Sequence, residues 1–226
     1  MLRSFLLGAV AFSAAALFAG PASATMIVSA SPGGTGINAI SAACSGATGA
    51  PGATIYGCLN TDHALQVRFS TTDEQIDFGA GGQAKIIPAV ANAPGFRDLS
   101  IGLVGHKFGK LIFNVEAQSD GWIAFSNDLG DVSSQFALSG AGNNFFTITG
   151  DNFSWINLAT TGLGTYGHGR DTFTDGNIVD VKQVRFDDLD QGGGSNNPPP
   201  EVPEPATLLL LAAGLAGFGA IRRRKR

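Results

Sequence analysis

From residue 63 onward, apolar and polar positions alternate with a period of two. Leu65, Val67 and Phe69 interleave with Gln66, Arg68 and Ser70; Leu111, Phe113, Val115 and Ala117 interleave with Asn114 and Glu116. A strand with one buried face requires this pattern, because successive side chains point to opposite faces. After the second run comes Asp120-Gly121, a dipeptide suited to the positive-φ positions of a tight turn, and then Trp122-Ile123-Ala124-Phe125. The three together predict a β-hairpin. Further strands are expected at 102–105, 136–139, 145–149, 153–157 and 178–186. In the last, Val179 and Val181 share one parity while Val184 and Phe186 share the other, which calls for a β-bulge near Lys182-Gln183. Glycine-rich punctuation at roughly 8–12-residue spacing, with no helical period, predicts an all-β fold. The expected architecture is an antiparallel β-sandwich, jelly-roll or Ig-like. Sixteen phenylalanines against two tyrosines suit packing between two sheets.

The stretch before this, residues 25–62, is rich in Gly, Ser and Ala and carries Pro32-Gly33-Gly34 and Pro51-Gly52. It reads as loops and short strands. The chain's two cysteines, Cys44 and Cys58, both lie in it. In an oxidising compartment their default state is a disulfide, worth ~3 kcal/mol in the chain-entropy model. The sandwich body is assigned to 63–190.

Both ends are of a different kind. Residues 1–24 hold Arg3, an apolar run from Phe5 to Ala19, and Ala22-Ser23-Ala24 before Thr25. This is the form of a secretory signal peptide, with an A-x-A site at Ala22 and Ala24 and cleavage expected after Ala24. Residues 191–205 form a Gly-rich, then Pro-rich linker, a flexible tether followed by a stiff one. Ala206 to Ile221 is an uncharged run of 16 residues ending on Arg222, Arg223, Arg224, Lys225 and Arg226. As a helix it reaches roughly 24 Å, short of the ~30 Å hydrocarbon core of a bilayer. The basic cluster resists translocation, so this short transmembrane helix would leave the body on the far side of the inner membrane.

The tail, Val202-Pro203-Glu204-Pro205-Ala206-Thr207, then the apolar run, then five cations, resembles the PEP-CTERM sorting signal of Gram-negative bacteria. The resemblance covers about 25 of 226 residues. It implies recognition by a membrane-embedded exosortase, cutting near Pro-Glu-Pro, and company with exopolysaccharide and biofilm production. It implies nothing about the body.

Setting the ends aside changes the charge. Of 14 Lys+Arg and 18 Asp+Glu, six cations (Arg3, Arg222 to Arg226) and two anions (Glu201, Glu204) lie outside residues 25–200. That leaves 8 cations, 16 anions and a formal charge of −8. Such a body repels nucleic acid, which is excluded as a partner.

Candidate chemistry is thin. His63, His106 and His168 are scattered, with no nucleophile-elbow motif beside them. Glu74 and Glu116 are the body's only glutamates, so a glycosidase pair has few sources. No cofactor is expected, and calcium is the candidate metal. Asp171, Asp175 and Asn177 give oxygen ligands in a turn with Gly176, although Phe173 and Lys182 break the EF-hand pattern. Asn127, Asp128 and Asp131 form a second acidic turn, and ordinary turn chemistry accounts for both sets. Trp122, just after the expected turn, is the candidate carbohydrate contact, whereas Trp155 reads as core. The function expected is that of a non-enzymatic surface or matrix protein, exported to the periplasm, cell surface or extracellular matrix and transiently anchored by its tail. The alternative is a secreted glycosidase or esterase acting on surface polysaccharide.

Overall fold

A computed structural model describes residues 25–46, 48–93, 95–161, 166–168, 171–173 and 178–190. The expected signal peptide with Ala22 and Ala24, the expected linker, the tail and its expected 206–221 span lie outside the described residues, as do Asp175 and Asn177. The strands are β1 (Ile27–Ser29), β2 (Ile37–Ile40), β3 (Thr54–Leu59), β4 (Asp62–Ser70), β5 (Ile76–Phe78), β6 (Ile86–Pro88), β7 (Asp98–Leu103), β8 (Phe108–Ala117), β9 (Gly121–Asn127), β10 (Phe136–Leu138), β11 (Asn144–Phe153), β12 (Trp155–Thr161), β13 (Tyr166–His168), β14 (Asp171–Phe173) and β15 (Ile178–Leu189). The fold is all-β. No helix among the described residues is long and apolar enough to cross a membrane.

Every strand pairing is antiparallel. The main sheet runs β1-β11-β8-β15-β2-β3-β4-β7-β12-β9-β10, with β5 and β6 attached beside β15, and β13-β14 form a separate pair. The two separate sheets of a jelly-roll or Ig-like sandwich are replaced by one continuous ladder. β2 is the reason: it pairs with β15 on one side and with β3 on the other. The ladder curls into a half-barrel around a single core. Phe113 of β8 and Phe125 of β9, far apart in strand order, meet edge to face at 5.9 Å, and Phe146 of β11 lies 4.9 Å from Phe125. Edge-to-face rings fill such a space while matching positive ring edges to negative faces. The ladder's two ends come close at one corner, where Met26 N–H donates to Asp131 Oδ2 (3.2 Å).

The period-two positions behave as the sequence requires. Val67, Phe69, Leu111, Phe113, Val115 and Ala117 are all buried in the core, and Leu65 packs against it. The hairpin at Asp120-Gly121 does not form. β8 pairs with β11 and β15, and β9 pairs with β10 and β12, so the two strands lie in opposite halves of the curl. The turn instead carries the chain across the core. Asp120 Oδ1 accepts from Gly140 N–H (2.9 Å), which ties it to the loop after β10. Local turn chemistry permitted a hairpin, but both edges of β8 were taken by strands distant in sequence.

In β15, Ile178, Val181, Val184 and Phe186 all face the core. Reconciling them takes the bulge expected near Lys182-Gln183, where the register shifts and Gln183 has φ 56°. A second shift lies between Ile178 and Asp180, and Val179 therefore points away from Val181.

The connection from β1 to β2 must pass over β11, β8 and β15. It does so as a strap across their outer face. Thr147 Oγ1 donates to Ser31 O (2.9 Å), and Arg185 donates to Gly34 O (3.2 Å). Thr147 and Arg185 flank Ile112 in register. Ile112, although on the outer side, is thereby fully buried. A Cβ at Gly33, which has φ 38°, would overlap the Thr147 side chain, so the Pro32-Gly33-Gly34 sequence is what lets the strap lie this close.

Candidate functional site

Trp122 opens the outer side of β9. It alternates with buried Ile123 and Phe125 and is 49% exposed, as a surface contact requires. It borders an open recess of ≈ 500 Å³ together with Asp120, Gly121, Ala137, Leu138, Ser139 and Asn144. Asn144 is held in place: its amide donates to Ser139 O (2.9 Å) and Val115 O (3.1 Å), and its oxygen accepts from Ser139 N–H (2.8 Å). The recess thus has one aromatic wall and a fixed polar rim.

Trp155 is not a core residue. On β12 the buried positions are Ile156 and Leu158, which puts Trp155 on the outer side, partly buried. The short Phe153-Ser154-Trp155-Ile156 segment left its parity open. A bend at Ser154, between β11 and β12, set it.

The Asn127 turn is explained by its own hydrogen bonds. Asn127 is buried; its Oδ1 accepts from Leu129 N–H (3.0 Å) and Asp131 N–H (2.9 Å), and its amide donates to Asp131 Oδ2 (2.9 Å). Asp128 Oδ1 accepts from Ser154 N–H (2.9 Å). These oxygens close the turn and dock it to the start of β1 and to β12. Of the other acidic turn, Asp171 lies in β14, opposite His168 of β13. Among the described residues no group of three or more metal-ligating side chains occurs. His63 and His106 are exposed and make no side-chain hydrogen bond to the described residues.

The cysteines are joined, Cys44 to Cys58, with Cα atoms 5.5 Å apart. Cys58 lies on the outer side of β3, so the bond pins the 41–46 loop over that end of the face.

Two ionic clusters carry no sequence signature, because each joins residues remote in the chain. In the first, Asp180 (2% exposed) sits opposite Glu116 in register. Lys85 reaches Asp180 Oδ2 at 2.9 Å, while Lys182 bridges Asp180 Oδ1 (3.4 Å) and Glu116 Oε2 (2.6 Å). Burial pushes the Asp180 carboxyl up, and the Lys182 hydrogen bond holds Glu116 down. Burial alone would lower Lys182, but the two carboxylates outweigh it and leave its pKa raised. In the second, Arg97 donates to Asp73 through its backbone N–H (2.6 Å), Nε (3.1 Å) and Nη2 (2.8 Å), which holds Asp73 below the usual carboxylate range. Next to it, Asp98 accepts from Thr71 and Thr72. These contacts lash the loop after β4 to the start of β7. Neither cluster opens onto the Trp122 recess.

Beyond the described residues the chain ends in the Pro-Glu-Pro motif, the apolar run and five cations. Residues 201–225 match the PEP-CTERM protein-sorting motif. The PEP-CTERM match implies export, a membrane-associated sorting step and recognition by an exosortase. It covers the tail and leaves the β-body unassigned. Neither a curated protein nor a solved structure matches this chain.

Proposed function

We propose that this is a cell-surface or extracellular-matrix protein of a Gram-negative bacterium, exported by its signal peptide, sorted by an exosortase and associated with exopolysaccharide, acting by binding or as a structural component and not by catalysis. The observation that carries this reading is the PEP-CTERM match at 201–225, joined to an acidic body too negative for nucleic acid. The tail acts transiently. Its apolar run of 16 residues is short for a permanent span, and the Gly- and Pro-rich linker gives a processing enzyme access. Mass spectrometry of the surface form should find a chain beginning at Thr25 and lacking Arg222 to Arg226. Retention of those cations at the surface would make the tail a true anchor.

Association with polysaccharide is tested by pull-down on the host's own exopolysaccharide together with a hydrolysis assay. Binding without released oligosaccharide is the expected result, with Trp122 as one contact. The Glu116–Asp180 juxtaposition favours a second reading, a hydrolase, because paired carboxylates with diverging pKa values suit acid and base roles. Two lysines within ionic reach of that pair support a structural part instead. Released oligosaccharide that disappears in Glu116→Gln would establish the hydrolase. Calcium at Asp171, Asp175 and Asn177 is a further proposal, and a rise in melting temperature at millimolar calcium is its expected sign.

A further inference from the structure

The outer face of β3, β4, β7 and β12 carries an arrangement that the strand register alone reveals. Tyr56 pairs with Arg68, Arg68 with Gly102, and Gly102 with Trp155, so these four form one straight row across four strands. At ~4.8 Å per strand the row is roughly 14 Å long. The adjacent row on the same face is Thr54, Ser70, Ser100, Asn157 and Ser126. All of these side chains are partly exposed. Gly102 is the centre of the design. A Cβ there would come within 2.9 Å of Trp155 Cβ and would overlap the Ser154 carbonyl, so only glycine lets β12 start this close to β7. Among the described residues, Tyr56 Oη, the Arg68 guanidinium and Trp155 Nε1 have no hydrogen-bonding or ionic partner.

Arg68 is the only charged residue in the two rows, and its position is unusual for a body of charge −8. Two acids border this face and are already engaged: Asp98 accepts from Thr71 and Thr72, and Asp128, beyond Trp155, accepts from Ser154 N–H. A guanidinium with no partner among the described residues, an aromatic on either side and a row of hydroxyl and amide groups beside it complements a specific chemistry: a carboxylate on a chain of hydroxylated rings with apolar C–H faces. Tryptophan and tyrosine offer apolar faces with a polar handle, and arginine grips a carboxylate through two parallel N–H donors. A protein partner would want an apolar centre, and this face supplies serine, threonine and asparagine there. A membrane surface is held by a cluster of cations, whereas one guanidinium grips one carboxylate at short range through two parallel donors and needs no net positive charge around it.

We propose that the row Tyr56–Arg68–Gly102–Trp155 is a binding platform for a strand of acidic, uronate-bearing polysaccharide. It rests on the polysaccharide reading above and names the ligand class. Trp122 shares this face but lies six residues further along β12, roughly 20 Å away, and forms a separate contact.

The test uses the detergent-solubilised full chain with oligogalacturonate as probe and a neutral glucan oligosaccharide as control. Wild type should bind oligogalacturonate in preference to the neutral control. Arg68→Gln and Trp155→Ala should each lower affinity about tenfold, whereas Ile27→Ala, at an exposed position of β1 at the end of the ladder, should leave it within about twofold. Arg68 has no partner to lose among the described residues, so Arg68→Gln decides the matter if Trp155→Ala folds poorly. Equal binding of the neutral glucan, binding of anionic vesicles instead, or full affinity in Arg68→Gln would each overturn the platform. The native exopolysaccharide separates the two readings. If wild type and Arg68→Gln are retained on it equally, association stands and the platform falls; if wild type binds neither polysaccharide, both fall.

Discussion

The two outer faces of the curled sheet make an instructive pair. On β11, β8 and β15 the row Thr147–Ile112–Arg185 is roofed by the 30–36 strap, and an isoleucine can sit there fully buried. On β3, β4, β7 and β12 the row Tyr56–Arg68–Gly102–Trp155 has no roof, and its neighbours are small and polar. The chain spends its own backbone covering one face because the path from β1 to β2 forces a crossing. On the other face β3 and β4 are joined by a two-residue turn at their ends, which leaves the face between them open. A face that is left open, set with hydrogen-bonding groups that have no partner among the described residues and edged by a pinned loop, is where a ligand can compete with water.

Breaking the roofed face should cost most. Ile112→Ala is expected to lose about 3 kcal/mol of stability by leaving a cavity beneath the strap, read as a lower urea midpoint. Replacing both Cys44 and Cys58 by alanine frees the loop at the margin of the open face and should cost roughly 3 kcal/mol or less. The same measurement made with and without reductant on wild type checks that figure. Gly33→Ala adds a side chain at positive φ against Thr147 and should cost about 2 kcal/mol. An unchanged midpoint there would mean that the strap is loosely held.

The open face should hardly notice comparable edits. Ser100→Ala is expected to fall within about 0.5 kcal/mol of wild type, since its hydroxyl has no partner among the described residues. Acid sharpens the contrast at the edge of this face. Asp73 is held low by Arg97, so the stability it adds is present above the ordinary aspartate pKa and is lost as pH falls through its lower folded value. Asp180 has the opposite sign: its carboxyl is raised, so its contribution is greatest below the ordinary aspartate pKa and declines as pH rises through the folded value. Unfolding curves of Asp73→Asn should therefore show a shallower loss of stability on acidification than wild type, and the reverse slope would contradict the assignment.

Much of this was legible in the chain. Alternation placed Val67, Phe69, Phe113 and Val115 in the core because a pleated strand has only two faces, and the mixed parity of 178–186 demanded a bulge that Gln183 supplies. The cysteines found each other, and the tail declared its sorting motif, because both signals are local or depend on compartment alone. Asp120-Gly121 misled because turn residues say what a turn can be and not which strands it joins. Trp155 misled because Phe153-Ser154-Trp155-Ile156 puts apolar residues at both parities and so does not say which of them faces inward.

Strand type, the inward positions, the disulfide and the sorting motif were written into short windows of the chain. Which strand lies beside which belongs to the tertiary structure alone. Only β2 bridging β15 and β3 turned two expected sheets into one, and only the register across β3, β4, β7 and β12 brought Tyr56, Arg68 and Trp155, scattered over 100 positions of chain, into line. The physical reason is that hydrogen bonding between strands is nearly blind to side chains. The choice of neighbour is made by packing of the shared core, and a short window of sequence does not contain it.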